Sequence, residues 1–554
     1  MTKKARRIFT WVLAAAIIMT VMCGCQQTST STTGSGSTTA TTKATTATTA
    51  QTIDKVTNVM RSDYQVNFAG TDLDQWIQDT FGIEIELVII DPASYTDKFQ
   101  IMWNTGDLPD ISQFNGVSAV EVDNAGDKGI LLDGFAYLDY MPALKEKLIA
   151  SYDSLGQVVS SSGKLYRLPT SYGMGAYLGT GQGMFVRADI LEANGYDLNS
   201  IESTSDLYDM LEVLKAVNPG KYVLSCRGNI HNLSTMGLHS YGISIYPATW
   251  RESSKEYVPC YRQETFKEWL TFWANAYADD ILHPEFLNMG SSELWQNLYD
   301  GSLTCAIDTM ANINHVQNNS SNENADWQAV VYPKFNGTRY GIPSYTDLDA
   351  TGNNIVISSE CKVPEKVMAF IDWTYTNEGF LRTQFGIEGE DYILLNEDPL
   401  QFMLVAEGNE KYLEGKYTGQ IWTADERIQR MVTQPYYFYG WYSTNCRWSI
   451  LGTKPDGPSR YQLSYEAYDA AGLWLPPEPS IALVGDEATE LTDLYGVIST
   501  LASEAISKII IGQMSVEDWE TVLARIEDAG YDRLMELYDK SYQEYQKIVV
   551  PEIN

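Results

Sequence analysis

Between Asp72 and Ser112 the chain switches back and forth between two hydrophobic periods, and that alternation limits the folds open to it. Leu73, Trp76 and Ile77 share one helical face before Phe81-Gly82. Ile83, Ile85, Leu87 and Ile89 then alternate with Glu84 and Glu86, the period of two expected of a strand. Phe99 to Trp103 suggests a second helix, closed by Gly106, and Asp110-Ile111-Ser112 opens a short strand. Strand–helix–strand order implies βαβ units around a mostly parallel sheet. Helical patterns dominate further on. Ser203-x-x-Asp206 forms a capping box before Leu207, Met210, Leu211 and Leu214. Phe266, Trp269, Leu270, Trp273 and Tyr277 share a face, and Pro364 occupies a first turn ahead of Val367, Phe370 and Ile371. Ser515-x-x-Asp518 caps Trp519, Val522, Leu523 and Ile526, and Gly530 precedes a last helix from Leu534 to about Ile548. No repeat is present.

The N-terminus has a different character. Lys3, Lys4, Arg6 and Arg7 precede an apolar run from Ile8 to Met22, followed by Cys23-Gly24-Cys25. A basic head, a short greasy segment and a small residue at the cut describe an export signal. The run falls short of the roughly 20 residues of a membrane span. Gly24-Cys25 resembles the lipobox of bacterial lipoproteins, which implies acylation of Cys25. Residues 26–52 are almost wholly Thr, Ser, Ala, Gly and Gln, with Lys43 the one charge. That composition predicts a disordered leash, with ends on the order of 30 Å apart.

The 554 residues leave about 500 beyond leader and leash, too many for a single core, so at least two lobes are expected. The formal charge is −34, and removing the four basic residues of the leader takes it to −38. Such an anion is a poor partner for nucleic acid and favours a neutral or cationic ligand. Cys226, Cys260, Cys305, Cys361 and Cys446 lack zinc-site spacing and number too few for a disulfide scaffold. Buried thiols are expected, with a Cys226–Cys260 bridge as the alternative. His231, His239, His283 and His315 are the only histidines, which argues against a His-rich metal site, and no cofactor is expected.

Phe81-Gly82-Ile83 followed by Gly106-Asp107-Leu108-Pro109-Asp110-Ile111 is similar to the "T-G-I … S-G-D-L-P-D-I" passage of family 1 extracellular solute-binding proteins. Gly163-Lys164-Leu165-Tyr166-Arg167-Leu168-Pro169 resembles their "G-K-x-Y-x-x-P" crossover entry, followed as there by Met184 to Leu191. Gly301 to Asp308 resembles their "G-x-x-A-x" strand, and Gly386 to Tyr392 their "G-I-E-G-x-D-Y" passage, common in larger Gram-positive members. Trp519 to Tyr545 fits their closing helices. The correspondence is discontinuous over residues 58–548, in constant order.

This resemblance implies an α/β, two-lobe fold of the periplasmic-binding-protein kind (type II, maltose-receptor-like) with interlobe crossover strands. The expected divisions are a leader over 1–24, the acylated cysteine and linker over 25–55, lobe 1 over 56–170 and 335–395, and lobe 2 over 171–334 and 396–554. It further implies a monomeric lipoprotein on the extracytoplasmic face of the cell membrane. Such a receptor captures a neutral oligosaccharide in an interlobe cleft, passes it to the membrane subunits of an ABC importer, and does no covalent chemistry. A surface-tethered glycoside hydrolase or polysaccharide lyase is the alternative, and a binding protein for a peptide or other solute a lesser one.

Ligands of open α/β sheets lie off the carboxyl ends of strands, which directs attention to residues just past them. Asn115 follows the Asp110 strand, Tyr172 follows the Pro169 crossover, and Asp308, Met310 and Asn312 follow the Gly301 segment. Asp308 is the expected acceptor of a sugar hydroxyl, while Asp110 reads as structural. Trp103 is a stacking candidate that core packing also explains. Tyr439, Trp441 and Trp448 belong to the densest aromatic stretch, a sugar platform or a brace between lobes. Asp347 to Gly352 imitates the start of a calcium loop, but Ser358 stands where its bidentate Glu is needed, so no metal is assigned. Glu388, Glu390 and Asp391 form no convincing catalytic pair.

Overall fold

The computed structural model describes residues 52–61, 68–113, 117, 119–169, 182–228, 230–233, 241–310, 312–340, 342–343, 355–397, 400–406, 410–423, 426, 460–476 and 478–553. Three strands begin a first sheet: β1 (Asp54–Arg61), β2 (Ile83–Ile90) and β3 (Ile111–Gln113). β1 pairs in parallel with both β2 and β3, so each link must cross over through a helix. The helix Asp72–Phe81 makes the first crossing; Thr71 caps its start by accepting from the Asp74 amide, and Gly82, at φ 67°, ends it in the left-handed region that glycine tolerates. The helix Pro92–Thr105 makes the second.

Both faces of this sheet are covered. Ile83 and Ile85 point into one core with Leu73 and Ile77, whereas Ile90 points into the other with Tyr95, Phe99 and Trp103. The expected alternation therefore fails at the end of β2. Val88 and Ile90 turn inward there, and Ile89 is left 38 % exposed, because Pro92–Thr105 packs on the opposite face from Asp72–Phe81.

A second sheet follows, with β4 (Gln182–Arg187), β5 (Leu224–Cys226), a hairpin of β6 (Ala248–Arg251) and β7 (Glu256–Pro259), then β8 (Cys305–Thr309) and β9 (Trp327–Ala329). The hairpin stands apart; the sheet order is β5-β8-β4-β9, with β5 and β8 parallel and β4 antiparallel to its neighbours. The largest core surrounds it. Trp269, Trp273, Trp327, Trp519, Tyr261, Tyr332, Tyr468 and Tyr531 are all fully buried there, which accounts for much of the chain's aromatic content. The Ser203–Asp206 and Ser515–Asp518 capping boxes form as read, the second on a short 3₁₀ turn ahead of the helix Trp519–Asp528.

Beyond β10 (Ile342–Pro343), the chain returns to the first sheet as β11 (Ile355–Ile357), antiparallel to β3. Ile355 and Ile357 enter one core and Val356 the other. The helix Pro364–Thr374, with proline in its first turn, completes that side. β12 (Tyr392–Glu397) and β13 (Leu400–Leu404) form a hairpin over small clusters of their own, and β14 (Trp474–Leu475) pairs with β10. The long helix Gly485–Ile510 and the helices to Tyr545 join the large core, after which Ile548, Val550 and Ile553 pack on the first. Among the described residues no helix is long and apolar enough to cross a membrane.

Two of the motifs that carried the resemblance fasten this architecture. Asp110 Oδ2 accepts from the Thr57 amide and hydroxyl, both at 2.8 Å, tying β3 to β1. In the crossover entry, Leu165 donates to Asp133 Oδ1 at 3.0 Å, and Leu168 exchanges backbone bonds of 2.9 and 3.0 Å with Ile355. Outgoing and returning chains thus leave the first sheet side by side. Arg167, 1 % exposed, forms a two-point ion pair with Asp123 at 3.1 and 3.3 Å. Burial raises the Asp123 pKa, and the guanidinium pulls it back. Breaking a buried pair strands a charge, at about 3–5 kcal/mol. Asp123→Ala is accordingly expected to lower unfolding stability by about that amount, and Asp123→Asn by less, measured from urea midpoints.

Candidate functional site

In the second sheet, β5 and β8 end together and β4 begins beside them, with Gln182 opposite Thr309. Their common end carries a polar cluster. Asp308 is wholly buried, so its carboxylate needs partners from the protein. Trp295 donates from Nε1 to Oδ2 at 2.9 Å, Asn312 from Nδ2 to the same oxygen at 2.8 Å, and the Thr309 amide to Oδ1 at 2.7 Å. Arg227, directly after β5, completes the set. Its Nε lies 2.5 Å from Oδ1 as an ion pair without an aligned hydrogen bond, and its Nη2 donates to the Thr309 hydroxyl.

Arg227 therefore has two sides. One is held by Asp308 and Thr309, while 29 % of the side chain remains exposed. A guanidinium already held in this way loses little freedom on making a further hydrogen bond. Behind Asp308, the Trp295 ring meets His315 edge-on at 4.9 Å, and the Tyr299 hydroxyl bonds the His315 ring. Burial lowers the His315 pKa against a weaker opposing pull from Asp308. The floor is apolar: the Met310 methyl lies over Gly183, where an added Cβ would stand 2.0 Å from it.

An aromatic layer lies beyond. His231 lies four residues past Arg227, and its ring stacks on Tyr246 at 5.6 Å and 22°. Tyr495 approaches the same tyrosine at 6.3 Å. Tyr246 remains 44 % exposed, unusual for a large ring in a protein that buries most of its others.

Asp308, Met310 and Asn312 are thus brought together, with roles that differ from expectation. The Asp308 carboxylate is spent inside the protein, so it positions Arg227 and Asn312 and is not itself presented to a sugar hydroxyl. Met310, 5 % exposed, is packing. Trp103 is core too, since Tyr95, Phe99 and Trp103 recur every four residues and stack in sequence at 5.6 and 6.1 Å. Asn115, Tyr172, Tyr439, Trp441, Trp448, the lipidation candidate Cys25, the linker as far as residue 51, Cys446, His239 and the Asp347–Gly352 loop lie outside the described residues, whereas Asp54 and Lys55, at the end of the expected linker, already belong to β1. Cys226, Cys260, Cys305 and Cys361 are buried thiols that form no disulfide, so the Cys226–Cys260 bridge is not formed. Asp391 turns inward to accept from the Ile387 amide at 2.9 Å. His231 reads from the sequence as structural, and Arg227 and Tyr246 escape it. The one signal for Arg227 is its position after Val223-Leu224-Ser225-Cys226, a strand too short to register.

Residues 73–384 match the model of a bacterial extracellular solute-binding protein family. Lipoprotein LipO of Bacillus subtilis (strain 168) is 22 % identical over 330 residues, which cover 56 % of this chain and 62 % of that relative. Among solved structures, an HMO binding ABC-transporter associated solute binding protein from Bifidobacterium longum infantis superposes with a TM-score of 0.67 at 13 % identity, covering 89 % of this chain and 99 % of the other. The S. pneumoniae ABC-transporter substrate binding protein FusA, in complex with kestose, gives 0.66 at 15 %, covering 89 % and 100 %. These likenesses establish the two-lobe fold.

Because Arg227 is partly exposed, stranding it costs less than stranding a buried cation. Asp308→Ala is expected to lower stability by about 2–3 kcal/mol, read from urea midpoints, with Asp308→Asn retaining part of the loss.

Proposed function

The chain belongs to the bacterial extracellular solute-binding protein family, and we propose that it captures a neutral oligosaccharide between its two lobes for delivery to the membrane subunits of an ABC importer. The observation that favours this reading is a guanidinium held beside a buried carboxylate at the end of the second sheet, with a partly exposed Tyr246 stacked on His231, four residues further along the chain from Arg227. Sugars have apolar ring faces bounded by hydroxyls, and those two surfaces match them: Tyr246 against a face, Arg227 against hydroxyl oxygens. The net charge of the chain disfavours an anionic guest. Two structures sharing its fold are named for HMO binding and for a complex with kestose. In this reading Asn115 and Tyr172 supply the opposing wall, and Tyr439, Trp441 and Trp448 add further stacking surface. The protein acts as a monomer, performs no covalent step and is held to the outer membrane face through acylated Cys25.

Thermal-shift screening of neutral oligosaccharides should find one that raises the melting temperature and is recovered chemically unchanged. Tyr246→Ala should weaken its binding about tenfold, or about 1.4 kcal/mol. Recovery of shortened or unsaturated sugar would transfer the case to a hydrolase or lyase. Separately, Cys25→Ala should move the protein from the membrane fraction of cells to the medium and abolish incorporation of labelled fatty acid.

A further inference from the structure

The second sheet has two edges, and the site above is built after one of them, β5. The other edge, β9, borders a separate cavity of about 610 Å³. Its walls are the helix Arg460–Ala470 and the segment 198–202, and Arg339 contributes to its lining. Ile201, Leu463 and Ala467 give it an aliphatic side, and Leu463 is 39 % exposed. The volume falls within the roughly 300–1,000 Å³ of small-molecule sites.

The charges around this cavity are unequal. Glu202 is ion-paired to Lys334, and Asp326 to Arg460, so each carboxylate already has a cation. Arg339 has no such partner among the described residues, and its Nε is enclosed without a hydrogen bond. An enclosed guanidinium N–H that lacks an acceptor is unfavourable, by about 1–3 kcal/mol or more for a charged group. Its planar fork is shaped for a carboxylate. The nearby carboxylates of Glu202 and Asp326 disfavour a dianion, so a singly charged group fits best. Among the described residues no exposed aromatic ring lines the cavity, which sets it apart from the site proposed for sugar.

We propose that this groove is a second binding site, for a small molecule bearing one carboxylate on an aliphatic body. The carboxylate meets Arg339 and the hydrocarbon lies along Ile201, Leu463 and Ala467. The site stands on its own residues and is independent of the transport reading.

Calorimetric titration of the purified protein with cyclohexanecarboxylate and with cyclohexylmethanol tests it. The acid should bind at least about tenfold more tightly than the alcohol. Arg339→Gln should erase that preference. Ala470→Trp, at an exposed position on the groove wall, should block both probes and leave oligosaccharide binding unchanged, which separates this site from the other. Absence of acid binding at millimolar concentration, equal binding of acid and alcohol, or an unaltered preference in Arg339→Gln would overturn the proposal. Should Arg339→Gln fail to fold, undiminished acid binding by Ala470→Trp would overturn it equally.

Discussion

A carboxylate without solvent contact persists only where its charge is answered locally, and Asp308 sets that requirement at the end of the second sheet. The answer comes from four directions: the β8 terminus itself, the following helix through Asn312, the preceding helix through Trp295, and β5 through Arg227. One buried charge thereby fixes the relative positions of two parallel strands and two helices. The same arrangement leaves a guanidinium facing outward in a single orientation. A sheet end that would otherwise be a set of loose turns becomes a surface with fixed donors. The family function proposed for the chain depends on that rigidity, since a wall already ordered loses little entropy when a guest arrives.

The first sheet solves a different problem. The chain must leave it, build another lobe and come back, and the two passages are paired where Leu168 meets Ile355. The stretch just before the exit is held by Asp133, Asp123 and Asp127, which accept from the Leu165 amide, the Arg167 guanidinium and the Tyr166 hydroxyl. Tyr166 also leans on Gly126, where any Cβ would lie 2.2 Å from its ring. Additional links join the halves: Ser480 donates to the Gly156 carbonyl and Gln157 to the Tyr545 hydroxyl, at 3.1 and 3.3 Å. These are exposed or partly buried single hydrogen bonds, worth about 1 kcal/mol each. The Arg167–Asp123 pair is far costlier to break. The apolar packing of Ile548, Val550 and Ile553 on the first core adds to these links.

What could be read in the sequence follows from how local each constraint is. Gly106 and Gly163 adopt positive φ, capping boxes close within four residues, and Pro364 needs only its own turn, so all were legible. Ile83 and Ile85 were legible as a strand, but Ile89 was not legible as exposed, because that depends on which helix covers which face. Trp103 shows the same limit. Its spacing from Phe99 fits a core ladder and a ligand face equally well until the packing partner is known. Asp308 was placed at the correct strand end, yet a strand end does not disclose whether a carboxylate turns inward. Arg227 was missed because β5 is three residues long and leaves no period to detect.

The two basic sites on the second lobe bear on how so acidic a protein recognises anything at all. With a formal charge of −34, long-range attraction cannot bring an anion to the surface, and salt screens exposed charges beyond about 8–10 Å. A guanidinium can still recognise oxygen at contact range, provided it is partly withdrawn from water and its neighbours are already neutralised. Arg227 meets that condition by sharing Asp308, which leaves it close to neutral overall and suits it to hydroxyls. Arg339 differs: the adjacent carboxylates are ion-paired to Lys334 and Arg460, so although its charge reaches Glu202 it forms no ion pair of its own among the described residues, which in the proposal above leaves it for an acid. In the two proposals the same residue type, at opposite edges of one sheet, is assigned different oxygens according to whether the nearest carboxylate is its own.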